Sequence, residues 1–188
     1  MDRLKNHAIR VILFGCILLC AGTVQVDAKL LISRDDAIRS IFGDSATTAT
    51  KTVYLTEAEH DSLQQRARAK IERKRITYYR VSVGDSIVGY VFVDRHIVRS
   101  LSETVLIALD TSGTILAAEI LAWNEPDDFR PSKRWLDRAK GQNEPIEIRP
   151  GEAMPNIAGS TISARALSAA IRRALAVGEM ILSPVSEN

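Results

Sequence analysis

Along this chain the spacing of apolar positions changes repeatedly, and the changes predict the elements. Ala37, Ile38, Ile41 and Phe42 recur at helical spacing behind Ser33, Asp35 and Asp36, and Gly43 offers an easy stop, so a first helix is expected there. From Asp44 to Thr50 the composition turns to Ser, Thr and Ala and reads as a loop. Thr56 and Glu59 form a capping box that opens a second helix, expected to run to about Ile71. After Arg75 the period falls to two. Ile76–Val83 and Ile87–Val93 flank Gly84-Asp85-Ser86, and Glu103–Leu109 and Thr114–Trp123 flank Asp110-Thr111-Ser112-Gly113, so two hairpins of antiparallel strands are expected. A further helix is predicted from Pro131 through Trp135 and Ala139 to Gly141, and Ile146-Glu147-Ile148 suggests a short strand. Ala164, Leu167, Ala170, Ile171, Ala174 and Leu175 share one face of a last helix, Ser163 to Val177, which Gly178 should end. The fold class these elements imply is α+β: an antiparallel β-sheet meander packed with N-terminal and C-terminal helices.

The first 28 residues have the make-up of a removable export signal: Arg3, Lys5 and Arg10, then an apolar run from Val11 to Leu19, then Val26-Asp27-Ala28. The expected organisation is therefore a signal over 1–28, a helical segment over 29–75, the main domain over 76–180 and a flexible tail over 181–188, in a protein exported to the periplasm or to the extracytoplasmic face of a membrane. Both cysteines, Cys16 and Cys20, lie in the apolar run. A mature chain without cysteine has no structural disulfide, cysteine-ligated zinc, iron–sulfur cluster or thiol redox chemistry. Phe14-Gly15 and Leu18-Leu19 suit a lipoprotein anchor poorly. The remaining chain carries 22 basic against 21 acidic side chains, which argues against a nucleic-acid partner. The run Lys70-Ile71-Glu72-Arg73-Lys74-Arg75 reads as solvated charge closing a helix. His60 and His96 alone cannot build an H-E-x-x-H zinc site, and Gly159-Ser160-Thr161-Ile162-Ser163 lacks the spacing of a nucleophile elbow.

The most specific stretch is Asn156-Ile157-Ala158-Gly159-Ser160-Thr161-Ile162-Ser163, small and hydroxyl-rich, delivered onto the start of the last helix. A helix start presents free amides and the positive end of a dipole, which suits a phosphate; the same residues also suit ordinary capping. This turn resembles the attachment motif of the covalent FMN-binding domain family, which includes flavoprotein components of the sodium-translocating NADH:quinone reductase and of the Rnf electron-transport complex. Gly159, Thr161 and Ser163 match it, whereas Ala158, Ser160 and Pro155 depart from it. Further blocks similar to the family's are His96-Ile97-Val98-Arg99 with Glu103-Thr104-Val105-Leu106, Trp123-Asn124-Glu125-Pro126, and Trp135-Leu136-Asp137 to Gly141, so the resemblance spans about residues 76–178.

The resemblance implies a single FMN, esterified through its phosphate to Thr161 with Gly159, Ser160 and Ser163 around it, and a carrier rather than a stand-alone catalyst. Its implied partners are membrane-associated redox proteins and the flavin transferase that attaches the cofactor. Within that reading His96 and Arg99 supply polar contacts, Glu125 lies on a turn near the flavin, and Trp123 covers the ring. Each has an alternative: a satisfied strand-end histidine for His96, an ion pair with Glu103 for Arg99, an exposed loop carboxylate for Glu125 and a core tryptophan for Trp123. The rival reading of the whole chain is a cofactor-free extracytoplasmic binding or adaptor domain.

Overall fold

The computed structural model describes residues 29–157 and 159–183, so the expected export signal and the last five residues of the expected tail lie outside the described residues. Five strands run in sequence order as an antiparallel meander: β1 (Ala46–Tyr54), β2 (Arg75–Val83), β3 (Ser86–Val98), β4 (Leu101–Leu109) and β5 (Ile115–Ala122). Helix α1 (Arg34–Phe42) lies on one face, over Val81, Val91, Leu106, Ala108 and Leu121. Helices α2 (Glu57–Ala67) and α4 (Thr161–Leu182) pack on the other, over Phe92, Val105, Ile107, Leu109 and Ile120. A strand's side chains alternate between faces, and β4 is covered on both, so its Val105–Leu109 run is uniformly apolar. The molecule is therefore an α+β protein with an open antiparallel sheet.

Local chemistry sets most of the boundaries. The Ser33 hydroxyl accepts from the Asp36 amide and starts α1. Thr56 and Glu59 form the capping box in both directions. The Asp110 carboxylate accepts from the Ser112 and Thr114 amides, and Gly113 takes φ +87°, turning β4 into β5.

Several expectations are corrected. The Asp44–Thr50 loop is largely β1, whose Thr-rich sequence suits an edge strand and pairs along its whole length with β2. The segment over 29–75 thus contributes a strand to the sheet as well as helices. Helix α2 stops at Ala67, four residues early, because Arg68 turns left-handed at φ +46° and Arg172 of α4 donates to the Ala67 and Arg68 carbonyls. The charged run therefore follows the helix as a loop over Lys70–Lys74, with Arg75 opening β2. The predicted Pro131–Gly141 helix divides into α3 (Lys133–Leu136) and a 3₁₀ turn over Asp137–Ala139. Ile146–Ile148 is not a strand: Pro145, with its fixed φ and no amide hydrogen, opens a 3₁₀ turn over Pro145–Glu147. Helix α4 runs through Gly178 to Leu182, because Gly178 sits where the helix meets β4, and a Cβ there would fall 2.4 Å from Leu109 Cδ1. Close approach to the sheet outweighs the roughly 1 kcal/mol helix penalty of glycine.

Candidate functional site

Three contacts pin the loop that leads into α4. The Trp135 indole donates to the Pro155 carbonyl at 2.7 Å. The Ser160 hydroxyl, fully buried, donates to the Phe129 carbonyl at 2.7 Å and lies 3.0 Å from the buried Ser163 hydroxyl. Arg99 reaches across from the β3–β4 turn, stacks its guanidinium 3.9 Å over the Phe129 ring and donates to the Gly159 carbonyl at 3.2 Å. Ser160 occupies the position before the helix, where a serine would ordinarily accept from a first-turn amide, but it points inward and gives no such cap. Thr161, the first helical residue, faces solvent, and the first turn holds no acidic side chain. Gly159 takes φ +72°, and a Cβ there would meet nothing within 4 Å.

Arg99 is held in place by backbone geometry. It takes φ +53° at the first position of a two-residue turn, a place glycine usually fills in hairpins. Glu125 secures that turn: its Oε1 accepts from the Ser100 and Leu101 amides, both at 3.0 Å. Glu125 is 8 % exposed, so it is a buried acceptor and not an exposed loop carboxylate. Trp123 is fully enclosed in the core and donates its indole N–H to the Pro126 carbonyl, so from where it stands it offers no open face to cover a ring.

His96 belongs to a second constellation. Its Nδ1 lies 2.9 Å from Asp94 Oδ1, and its Nε2 stands 2.5 Å from Oε1 of Glu103, out of line for a hydrogen bond. Arg173 of α4 closes the chain with two bonds to Asp94, at 2.7 and 2.8 Å. Burial alone would raise the Asp94 pKa, but His96 and Arg173 overcome it and hold the carboxyl at about 2. Burial lowers the His96 pKa, and the flanking Asp94 and Glu103 carboxylates override that, raising it to about 8. Burial dominates at Glu103, 1 % exposed, and pushes its pKa up despite the imidazole. The expected Arg99–Glu103 ion pair does not form; Glu103 faces His96 instead.

Sequence reasoning missed Asp94, Glu103 and Arg173 as a cluster. The signal was present in part: His96 and Glu103 are equidistant from the Arg99-Ser100 turn and therefore face each other across the hairpin. A groove of about 770 Å³ opens beside this cluster, between β2, β3, the Lys70–Lys74 loop and α4 at Arg173 and Val177. Thr161 is twelve residues before Arg173, about 18 Å along the helix and about 120° around it. The structure thus brings Gly159, Ser160, Thr161, Ser163 and Arg99 together at one end of α4 and sets His96 in a groove on another side.

Fold and site define an open-sheet α+β protein with an uncapped helix start at one end and a buried carboxylate–imidazole–carboxylate cluster at a cationic groove. No protein-family model matches the chain, and neither a curated protein nor a solved structure matches it significantly.

Proposed function

We propose that the chain is an exported electron carrier that holds one FMN through a phosphoester on Thr161. The observation that carries this reading is the division of labour between adjacent hydroxyls. Ser160 is buried and committed to the Phe129 carbonyl, whereas Thr161 is exposed at a helix start with no side-chain cap. The residues present fit the phosphate end of the group: an exposed hydroxyl, the positive end of a 22-residue helix, open space beside Gly159 and no carboxylate in the first turn. Arg99 donates to the Gly159 carbonyl and so places a guanidinium beside the residues that lead into the helix. When bound, FMN supplies two-electron acceptance and one-electron release, which suits passage of electrons between membrane-associated redox proteins. A tether also prevents loss of the cofactor by dilution outside the cytoplasm.

The test is to produce the protein in an exporting host that has a flavin transferase and to measure its intact mass. The expected result is a gain of one FMN less one water, with flavin fluorescence that stays with the denatured chain. Thr161→Ala should abolish the gain, and Thr161→Ser and Ser160→Ala should keep it. A colourless wild-type protein of unmodified mass would overturn the reading. One observation favours the second reading, a cofactor-free binding module: the groove lies on another side of α4 from Thr161.

A further inference from the structure

The groove is a split in the sheet. Strands β2 and β3 are paired from Tyr79–Val91 to Val83–Ser86, and beyond Tyr79 they diverge. Arg75–Tyr78 of β2 pair only with β1, and Phe92–Val98 of β3 pair only with β4. Among the described residues, neither stretch has a ladder partner on the side that faces the other. Two rows of backbone N–H and C=O groups therefore border the same opening, Arg75–Thr77 on one wall and Phe92–Ile97 on the other. At about 3.3 Å per residue these walls span about 10 and 20 Å, the reach of an extended segment of three to six residues. An unpaired strand edge is a template for another strand, and here there are two, facing each other.

The charge around the opening is one-sided. Asp94 is neutralised by Arg173 and His96, and Glu72 pairs with Lys70. Arg73, Arg75 and Arg95 also line the groove, and among the described residues none of them has a carboxylate partner. Arg73 and Arg75 are exposed, and Ile71, Ile76 and Phe92 also line the groove.

We infer that this groove receives an acidic peptide segment in extended conformation, which adds a strand between β2 and β3, with its backbone paired to the two free edges and its carboxylates facing Arg73, Arg75 and Arg95. Backbone pairing supplies affinity that depends little on sequence, and the cations select acidic side chains. The site is independent of Thr161 and does not rest on the flavin reading.

The probe is a fluorescein-labelled hexapeptide of alternating glutamate and valine, titrated into the purified protein by fluorescence anisotropy. Binding is expected to weaken as salt rises, and the lysine–valine counterpart should not bind. N-methylation of alternate residues removes the donors to one wall and should weaken binding at least tenfold. Arg73→Ser combined with Arg75→Ser, both at exposed positions, should weaken it about tenfold, and Thr161→Ala should leave it unchanged. No anisotropy change at millimolar protein, or equal affinity for the N-methylated peptide, would overturn the inference. So would unaltered binding by the double arginine variant while circular dichroism shows it folded, or displacement of the peptide by decanoate at equal concentration, which would mark a site for small amphiphiles.

Discussion

Alkaline pH should weaken the charged bridge that His96 makes between Asp94 of β3 and Glu103 of β4 before it touches the rest of the fold. His96 is held at a pKa of about 8 against an ordinary 6.5, because Asp94 and Glu103 flank a mostly buried ring. A folded-state value above the unfolded one means that the native protein binds the proton more tightly. The stabilisation is therefore complete below pH 6.5 and is lost as pH rises through 8. At about 1.4 kcal/mol per pH unit, the difference is worth about 2 kcal/mol. Urea unfolding at half-unit steps from pH 6 to 9 should show stability falling by about that amount, with most of the loss between 6.5 and 8. In His96→Gln the baseline should be lower and this segment of the profile flat. If wild type and His96→Gln decline in parallel, the imidazole is neutral in the folded protein and the assignment of a charged bridge between Asp94 and Glu103 is wrong.

Three other substitutions probe the scaffold. Glu125→Ala leaves the Ser100 and Leu101 amides without their acceptor and should cost about 2 kcal/mol or more in urea melts, whereas Glu125→Gln, which keeps an acceptor oxygen, should cost less. Gly89→Ala places a Cβ 2.3 Å from the Leu109 carbonyl oxygen, a backbone atom that cannot swing aside; a loss of at least about 2 kcal/mol is expected, and a neutral thermal melt would contradict the close packing of β3 on β4. Ser160→Ala should destabilise by about 1–3 kcal/mol through the Phe129 carbonyl it leaves unpaired, while Thr161→Ala, at an exposed position, should stay within about 0.5 kcal/mol of wild type in the same assay.

Elements whose determinants lie within a few residues of one another were legible in the chain. Ser33 and Asp36 begin α1, Thr56 and Glu59 begin α2, and Asp110 with Gly113 turns β4 into β5, all through contacts four residues apart or fewer. The period of two after Arg75, broken by turn residues, marked β2 to β5 as strands of two hairpins. At the candidate site the hydroxyl-rich turn and its place at the head of α4 could be read, but not which hydroxyl points outward. Ser160 and Thr161 are chemically near-equivalent in sequence, and the Phe129 carbonyl that draws Ser160 inward is thirty-one residues away.

What the amino-acid order decided by itself is the α+β class, the meander and the caps that open α1 and α2, because propensity, capping and turn chemistry act over one helical turn or one hairpin. Tertiary structure alone decided that β1 is a strand, since its Thr-rich run has no regular partner until β2 arrives some thirty residues later. It decided that α4 passes through Gly178, because only the approach of Leu109 gives that glycine a reason. It also decided that β2 and β3 part beyond Tyr79 and leave two bare edges beside Asp94, His96, Glu103 and Arg173, since divergence of strands depends on what packs between them and is written in no single segment.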